Sequence, residues 1–269
     1  AGLIAVRQAM DETGIEGPVS VSATIEPNGT MLAGQTIEAL YASVMQWPLL
    51  SVGLNCATGP ELMAGHLRAL SAMAKTRVSC YPNAGLPDEN GKYGETPASL
   101  ARKLSRFARE GWLNLVGGCC GTTPAHIAAL ADAMETFRPR RVPGHNRCFL
   151  SGVDFLEVEE ENRPILVGER ANVLGSRAFK ARVASGDWES GAEVARGQVK
   201  AGAHVVDVCL QDPDRDEMAD MTAFLERAAK MVRAPLMIDS TSPAVMERAL
   251  SYCQGKAILN SINLEDGEA

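Results

Sequence analysis

Aromatic residues are scarce in this chain, at 5% of 269 positions, and basic residues are outnumbered, with 26 Lys and Arg against 33 Asp and Glu. A formal charge of −7 with few stacking side chains argues against nucleic acid as a partner. No apolar run approaches the length of a membrane span, and the opening Ala-Gly-Leu-Ile-Ala-Val-Arg lacks the pattern of a secretory signal. These absences point to a cytoplasmic protein with neither a membrane nor a nucleic acid as partner. Histidine is rare too. His66 and His126 fall in helical patterns, His145 in an aperiodic stretch and His204 at the start of a strand, and none is given a role.

What the chain does have is apolar residues, 46% of the total, enough for a sizeable core and unlike the composition of a disordered segment. Its seven cysteines lie mostly in or beside apolar runs, which fits free thiols in a reducing compartment better than a disulfide framework. Strand and helix patterns alternate. β-branched or apolar runs at 19–25, 49–57, 77–81 and 112–120 are each followed by a helical pattern, and the helix opened by Pro60 after the run 49–57 carries Met63, Leu67, Leu70 and Met73 on one face. After Pro124 the expected buried face is Ile127, Leu130, Ala131 and Met134. Residues 138–163 break the rhythm, basic first and then acidic, and residues 141–162 read as a linker. The alternation resumes with strands at 164–168, 204–210, 235–240 and 256–263. Such repetition means parallel sheet and right-handed crossovers, an α/β fold. A closed (β/α)₈ barrel needs eight strands, so neither half can close one alone.

Three cysteines occupy the same kind of place. Cys56 ends one strand just before a helix, and Cys119 and Cys120 end another, two strands later. Their separation rules out a zinc-finger or ribbon spacing, so any metal site here is assembled by tertiary structure. Three thiolates suit Zn²⁺ and leave one of its four tetrahedral positions open, as in a catalytic site. Packing is the ordinary fate of cysteine, and Cys80, Cys209 and Cys253 are assigned to it. The Gly117-Gly118 before the pair and the Gly121-Thr122-Thr123-Pro124 after it argue for a loop that approaches something closely.

The set Gly53-Leu54-Asn55-Cys56-Ala57, Tyr81-Pro82-Asn83-Ala84-Gly85-Leu86-Pro87 and Gly117-Gly118-Cys119-Cys120-Gly121-Thr122-Thr123-Pro124 resembles the homocysteine-binding module of cobalamin-dependent methionine synthases. The resemblance implies a zinc-containing (β/α)₈ module over 1–140, with Cys56, Cys119 and Cys120 as the metal ligands and Asn55 and Asn83 lining a homocysteine pocket. It also implies that zinc makes the homocysteine thiol a competent nucleophile.

In the second half, Gly168-Glu169-Arg170-Ala171-Asn172, Gly175-Ser176-Arg177, Val205-Val206-Asp207-Val208, Met237-Ile238-Asp239-Ser240 and Leu259-Asn260-Ser261 resemble the pterin-binding module of the same family. The implied folate contacts are Gly175, Ser176, Arg177, Asp239 and Asn260, with Glu169, Asn172 and Asp207 in the same wall. Asn260 has the further implied role of supporting N5 of 5-methyltetrahydrofolate as its methyl departs. The match departs after Asp207, where Cys209 stands at a position that is often Asn in the family.

The expected architecture is therefore two partial (β/α)₈ barrels, the last four strands of one and the first four of the next: 1–140, a linker at 141–162, and 163–269. No Asp-x-His-x-x-Gly motif is present, so methylcobalamin is expected on a cobalamin-binding module outside this sequence. The chain thus reads as a fragment. Joining of the two halves into one hybrid barrel is the less favoured arrangement. Two other functions remain open at this stage: a cobalamin-independent, betaine-type zinc thiol methyltransferase, and a structural zinc protein with a fourth protein ligand.

Overall fold

The computed structural model describes residues 2–262, which divide into two compact units on either side of the Asn146–Arg147 junction. The first unit opens with helix α1 (Gly2–Thr13) and then alternates β1 (Ser20–Ala23), α2 (Ile37–Val44), β2 (Ser51–Asn55), α3 (Pro60–Met73), β3 (Arg77–Tyr81), α4 (Pro97–Arg109), β4 (Leu115–Val116) and α5 (Pro124–Met134). The four strands are parallel and lie in chain order, β1-β2-β3-β4. This is the winding of consecutive βα units, and it is set by period-2 alternation. Val52, Leu54, Val78 and Cys80 are fully buried. The opposite parity carries Ser20, Ser22, Ser51, Gly53, Asn55 and Ser79, joined by bonds such as Ser51 Oγ to Ser20 Oγ at 2.9 Å. Gly53 is obligatory on this face, because a Cβ there would lie 2.1 Å from the Ser79 carbonyl oxygen.

The helices begin where the sequence supplies caps. Thr36 caps α2, Thr96 and Ser99 form a capping box on α4, and Pro60, Pro97 and Pro124 occupy first-turn positions. The expected face of α3 is buried at all four residues, Met63, Leu67, Leu70 and Met73. The expected face of α5 is not. Leu130 is buried with His126, whereas Ile127 is 46% exposed and Ala131 is exposed. Helix α5 packs chiefly on α4, so only one narrow stripe is covered. The long apolar run 112–120 also yields less strand than expected: only Leu115 and Val116 pair with β3.

The second unit opens, within the aperiodic segment 141–162, on an antiparallel hairpin of β5 (Cys148–Ser151) and β6 (Phe155–Val158). Four-residue strands are too short for an alternation to be read. The hairpin is held by Ser151 N–H donating to Lys256 O (3.2 Å), Asp154 N–H to Arg233 O (2.9 Å) and an Asp154–Arg233 ion pair (2.7 Å). Then follow β7 (Val167–Asn172), α6 (Arg177–Ser185), α7 (Trp188–Lys200), β8 (Val205–Cys209), α8 (Glu217–Met231), β9 (Leu236–Asp239), α9 (Pro243–Leu250) and β10 (Ile258–Asn260). Helix α6 was not expected. It has only Phe179 and Val183 buried, too few apolar positions to show a period. Strand β7 ends at Asn172, later than the run 164–168 suggests. The parallel order is β10-β9-β8-β7, so the eight parallel strands form two four-stranded sheets rather than one closed barrel among the described residues.

Parity sorts the second sheet as well. Ala171, Val206, Val208, Leu236 and Ile238 join Phe179, Phe224, Leu225 and Ala228 in the helix-side core, where the rings of Phe179 and Phe224 meet edge to face at 5.3 Å. Asp207, Cys209 and Asp239 fall on the other parity, and Asn172 and Asn260 are in register with Cys209 and Asp239. The strand ends therefore carry polar side chains on the face away from the helices.

Arg140 anchors the segment after α5. It is 5% exposed, and its guanidinium donates to the carbonyls of Ser71 (2.7 Å), Ala74 (2.5 Å) and Thr76 (3.0 Å) at the α3–β3 junction. We expect Arg140→Ala to strand these carbonyls and lower the unfolding free energy by about 3 kcal/mol in urea titrations. An unchanged midpoint would show that the junction does not need it.

Candidate functional site

One tetrapeptide at the exit of β3 gathers the three cysteines. Tyr81 O accepts the N–H of Cys56 (3.0 Å), Pro82 O that of Cys119 (2.9 Å) and Asn83 Oδ1 that of Cys120 (3.1 Å), and Ala84 N–H returns a bond to Cys120 O (2.9 Å). Sulfurs from two distant segments are thereby brought within 4.8 Å of one another. The Sγ atoms of Cys56 and Cys120 are 3.7 Å apart, and those of Cys119 and Cys120 are 3.9 Å apart. Three ligands on a tetrahedral ion with Zn–S bonds of about 2.3 Å stand about 3.8 Å from each other, so the donor set fits zinc.

Local backbone conformation serves this geometry. Cys56 and Ala57 have φ of 61° and 44°, left-handed values that cost a non-glycine residue roughly 1–2 kcal/mol. Gly121 has φ of 79°, and a Cβ there would lie 2.2 Å from the Tyr93 ring; at Gly118 it would lie 2.4 Å from the Thr122 side chain. The loop is pinned behind the pair by Thr122 Oγ1 donating to Cys119 O (2.7 Å). The Ala57 N–H holds the Cys56 thiol below its usual pKa, whereas burial, followed by its sulfur neighbours, pushes Cys119 up to about 11.

His126 is buried in support. Its Nδ1 accepts from the Thr123 N–H (3.1 Å), which puts the proton on Nε2, and Nε2 donates to Glu95 O (3.0 Å). The Glu95 carboxylate binds Ser99 (2.5 Å) and Lys103, which holds it below the ordinary carboxylate range despite partial burial. Asn55 sits at the end of β2 and accepts from Ser22 Oγ (2.6 Å), and Asn83 is 5% exposed.

The second sheet places its polar residues at neighbouring strand ends. Asn172 Nδ2 donates to Asp207 Oδ2 (3.1 Å), and Asn172 Oδ1 accepts from the N–H groups of Leu174 and Gly175 (2.9 Å each), shaping the turn into α6. Ser176 caps that helix, bonding Phe179 N–H at 3.2 Å, so its hydroxyl is already engaged. Arg177 is exposed at the first position of α6. Asp239 and Asn260 lie side by side in register, and Asn260 O accepts from Ser240 N–H (2.9 Å). Asp207 is 3% exposed, and its Oδ1 is buried without a hydrogen-bond partner among the described residues. Burial, and then the charges of Asp239 and Glu169, raise its pKa to about 6 against the opposing bond from Asn172. Asp239 is raised by burial and by Glu169. Cys209 is buried, and its thiol is pushed to about 11 chiefly by burial.

Comparison with known proteins assigns both halves. Residues 2–134 match the family model described as homocysteine S-methyltransferase, and residues 168–269 match the pterin binding enzyme model. The chain carries a homocysteine S-methyltransferase module followed by a pterin-binding module. That order matches a methionine synthase-like protein. Among solved structures, the oxidized homocysteine methyltransferase MmuM from Escherichia coli is 25% identical with a TM-score of 0.34, covering 43% of this chain and 36% of its own. The carboxyl transferase domain of Rhizobium etli pyruvate carboxylase gives 15% identity and a TM-score of 0.28 over 91% of this chain and 39% of its own. A dipeptide epimerase from Methylococcus capsulatus gives 12% and 0.28 over 90% and 55%. The chain spans about a third of the length of the MmuM structure. Superposition is poor in all three, and the assignment rests on the two family matches. No helix among the described residues is long and apolar enough to cross a membrane.

Sequence reasoning missed Tyr93, Ser22 and the Glu95–His126 support. Tyr93 and Glu95 lie in a short polar stretch without periodicity, while Ser22 sits in the strand run 19–25 and His126 in a helical pattern, where neither is given a role. The one signal was an aromatic flanked by glycine and lysine at Gly91-Lys92-Tyr93-Gly94.

The raised pKa of Asp207 has a sign that can be tested. Its folded value of about 6 lies above the unfolded value near 3.8, so its contribution to stability is complete below the unfolded pKa and is lost as pH rises through about 6. We expect Asp207→Asn to be more stable than the parent at pH 8 by about 1–3 kcal/mol, with the difference vanishing near pH 4. Equal stability of the two proteins at both pH values, in paired urea titrations, would contradict this.

Proposed function

We propose that the chain is the homocysteine- and folate-handling part of a cobalamin-dependent methionine synthase, transferring methyl from 5-methyltetrahydrofolate to homocysteine, with methylcobalamin bound by a separate cobalamin-binding module. The observation that carries this is the meeting of the Cys56, Cys119 and Cys120 sulfurs inside a homocysteine S-methyltransferase module that is followed by a pterin-binding one. These three residues would hold zinc, which would supply a Lewis acid able to make a substrate thiol acidic at neutral pH. Asn83 fixes the Cys120 backbone, and Asn55, oriented by Ser22, offers an amide to the amino-acid end of homocysteine. Seven free cysteines suit a reducing cytoplasm.

The second module binds a flat heterocycle edge-on. The buried, unpartnered Oδ1 of Asp207 is an acceptor awaiting an N–H donor, as the pterin ring provides, and Asp239 is a second acceptor one strand along. Asn172 holds Asp207 in place and, with Gly175 and Ser176, shapes the turn into α6. Arg177 and Glu169, both exposed, serve the rim, and Arg177 complements the carboxylates of a folate tail. Asn260, beside Asp239, hydrogen-bonds N5 as the methyl departs. A betaine-type donor is disfavoured by the pterin-binding match, since such an enzyme has no use for that module.

Purified chain should hold one zinc per molecule. Cys56→Ser, Cys119→Ser and Cys120→Ser should each lower zinc affinity by more than tenfold in a chelator competition. Asp239→Asn should weaken 5-methyltetrahydrofolate binding at least tenfold by calorimetry while leaving zinc untouched. Zinc retained by all three serine variants, or folate binding indifferent to Asp239, would refute the respective half.

A further inference from the structure

Strand β7 breaks its regular pairing with β8 at one point, and that point stands opposite Asp207. Gly168 is in register with Val206 and Ala171 with Val208, so two residues, Glu169 and Arg170, face the single Asp207. Two residues against one make a bulge, uncommon between parallel strands, and bulges re-aim the side chains beside them. Parity shows what is re-aimed here. Val206, Val208 and Ala171 lie in the helix-side core. Glu169 and Asn172 are three positions apart and would point to opposite faces of an unbroken strand. With the extra residue both fall on the face of Asp207. Asn172 bonds the Asp207 carboxylate directly (3.1 Å), and the charge of Glu169 is felt by both Asp207 and Asp239.

The bulge is held from the helix side. Gln198 of α7 reaches β7, where its Oε1 accepts the backbone N–H of Arg170 (2.6 Å). Gly168 makes this approach possible, since a Cβ there would lie 2.7 Å from Gln198 Oε1 and 3.0 Å from Gln198 Cβ. The other end of the amide gains no bond: Gln198 Nε2 is buried with no hydrogen-bond partner among the described residues. A side chain that leaves its own donor unanswered while supplying an acceptor is there for the acceptor. The Arg170 side chain is exposed, so the extra residue does not serve packing.

We propose that Gln198 is a positioning residue of the folate site: by clamping the β7 bulge from the opposite face of the sheet, it keeps the Glu169 carboxylate alongside Asp207 and Asp239. The inference rests on the reading of that wall as a pterin site. Glu169 then adds a third carboxylate acceptor for the N–H edge of the ring, and Gln198, which touches no ligand, acts through it. Without the clamp the Arg170 N–H loses its acceptor. The strand can then regain regular pairing only by turning Glu169 or Asn172 toward the helices.

Calorimetry of 5-methyltetrahydrofolate on the full chain tests this through a double-mutant cycle. Gln198→Met keeps the length of the side chain and removes the acceptor, and it should weaken binding roughly fivefold. In a Glu169→Ala background the same change should cost less than about twofold, because the group that Gln198 positions is already gone. Gly168→Ala crowds the amide without altering it. It should reproduce the loss in the parent and likewise lose its effect beside Glu169→Ala. A residue needed only for the fold would give equal losses in both backgrounds. That result, or unchanged binding by Gln198→Met and Gly168→Ala, overturns the role of Gln198 and leaves the folate reading in place. A parent chain that does not bind 5-methyltetrahydrofolate overturns the folate reading, and this inference with it.

Discussion

Three thiols that lose their protons repel one another, and the first site exists because the backbone leaves them no room to part. The restraint comes from one place. Tyr81, Pro82 and Asn83, consecutive at the exit of β3, each accept the N–H of one of the cysteines. A parallel sheet makes this economical, since its central strand exits between the loops of both neighbours. The same principle explains the surrounding glycines. Gly53, Gly118 and Gly121 sit where any side chain would strike Ser79, Thr122 or Tyr93, and Cys56 itself accepts a left-handed conformation to aim its sulfur. The cost is local and the sheet bears it.

The second unit solves a different problem with the same architecture. It gathers oxygen acceptors rather than sulfurs, and their mutual repulsion shows as raised carboxyl pKa values. Asp207, raised to about 6 by burial and then by Asp239 and Glu169, keeps one oxygen without a partner among the described residues. Such a group destabilises the free protein and is rewarded by a ligand with N–H edges. In one site the binding energy is held as crowded sulfur, and in the other as an unanswered carboxylate.

How much of this was legible beforehand follows from which signals are local. The strand–helix alternation, the buried face of α3 and the parity that puts Asp207 and Asp239 opposite the helices are all encoded in short-period patterns, and the structure contains them. The hairpin at 148–158 and helix α6 are not so encoded. Four-residue strands are too brief to alternate visibly, and α6 buries only Phe179 and Val183. The run 112–120 looks like one long strand because apolar residues also line the loop that carries Cys119 and Cys120. Ile127 looks like core because a helix pattern cannot say how many neighbours will cover it. The cysteine trio was readable only as a motif set. Its convergence depends on the Tyr81–Asn83 backbone, and the proximity of Tyr93 to Gly121 depends on a loop without a period.

The central claim is that Cys56, Cys119 and Cys120 form a three-sulfur metal site with a fourth position free for a substrate thiol. X-ray absorption at the zinc edge, on the chain with and without homocysteine, tests it most directly. The account predicts three sulfurs at about 2.3 Å with one lighter ligand in the free chain, and four sulfurs once homocysteine is added. A shell that already contains four protein ligands and does not change on adding homocysteine, or one built from nitrogen and oxygen alone, would contradict it.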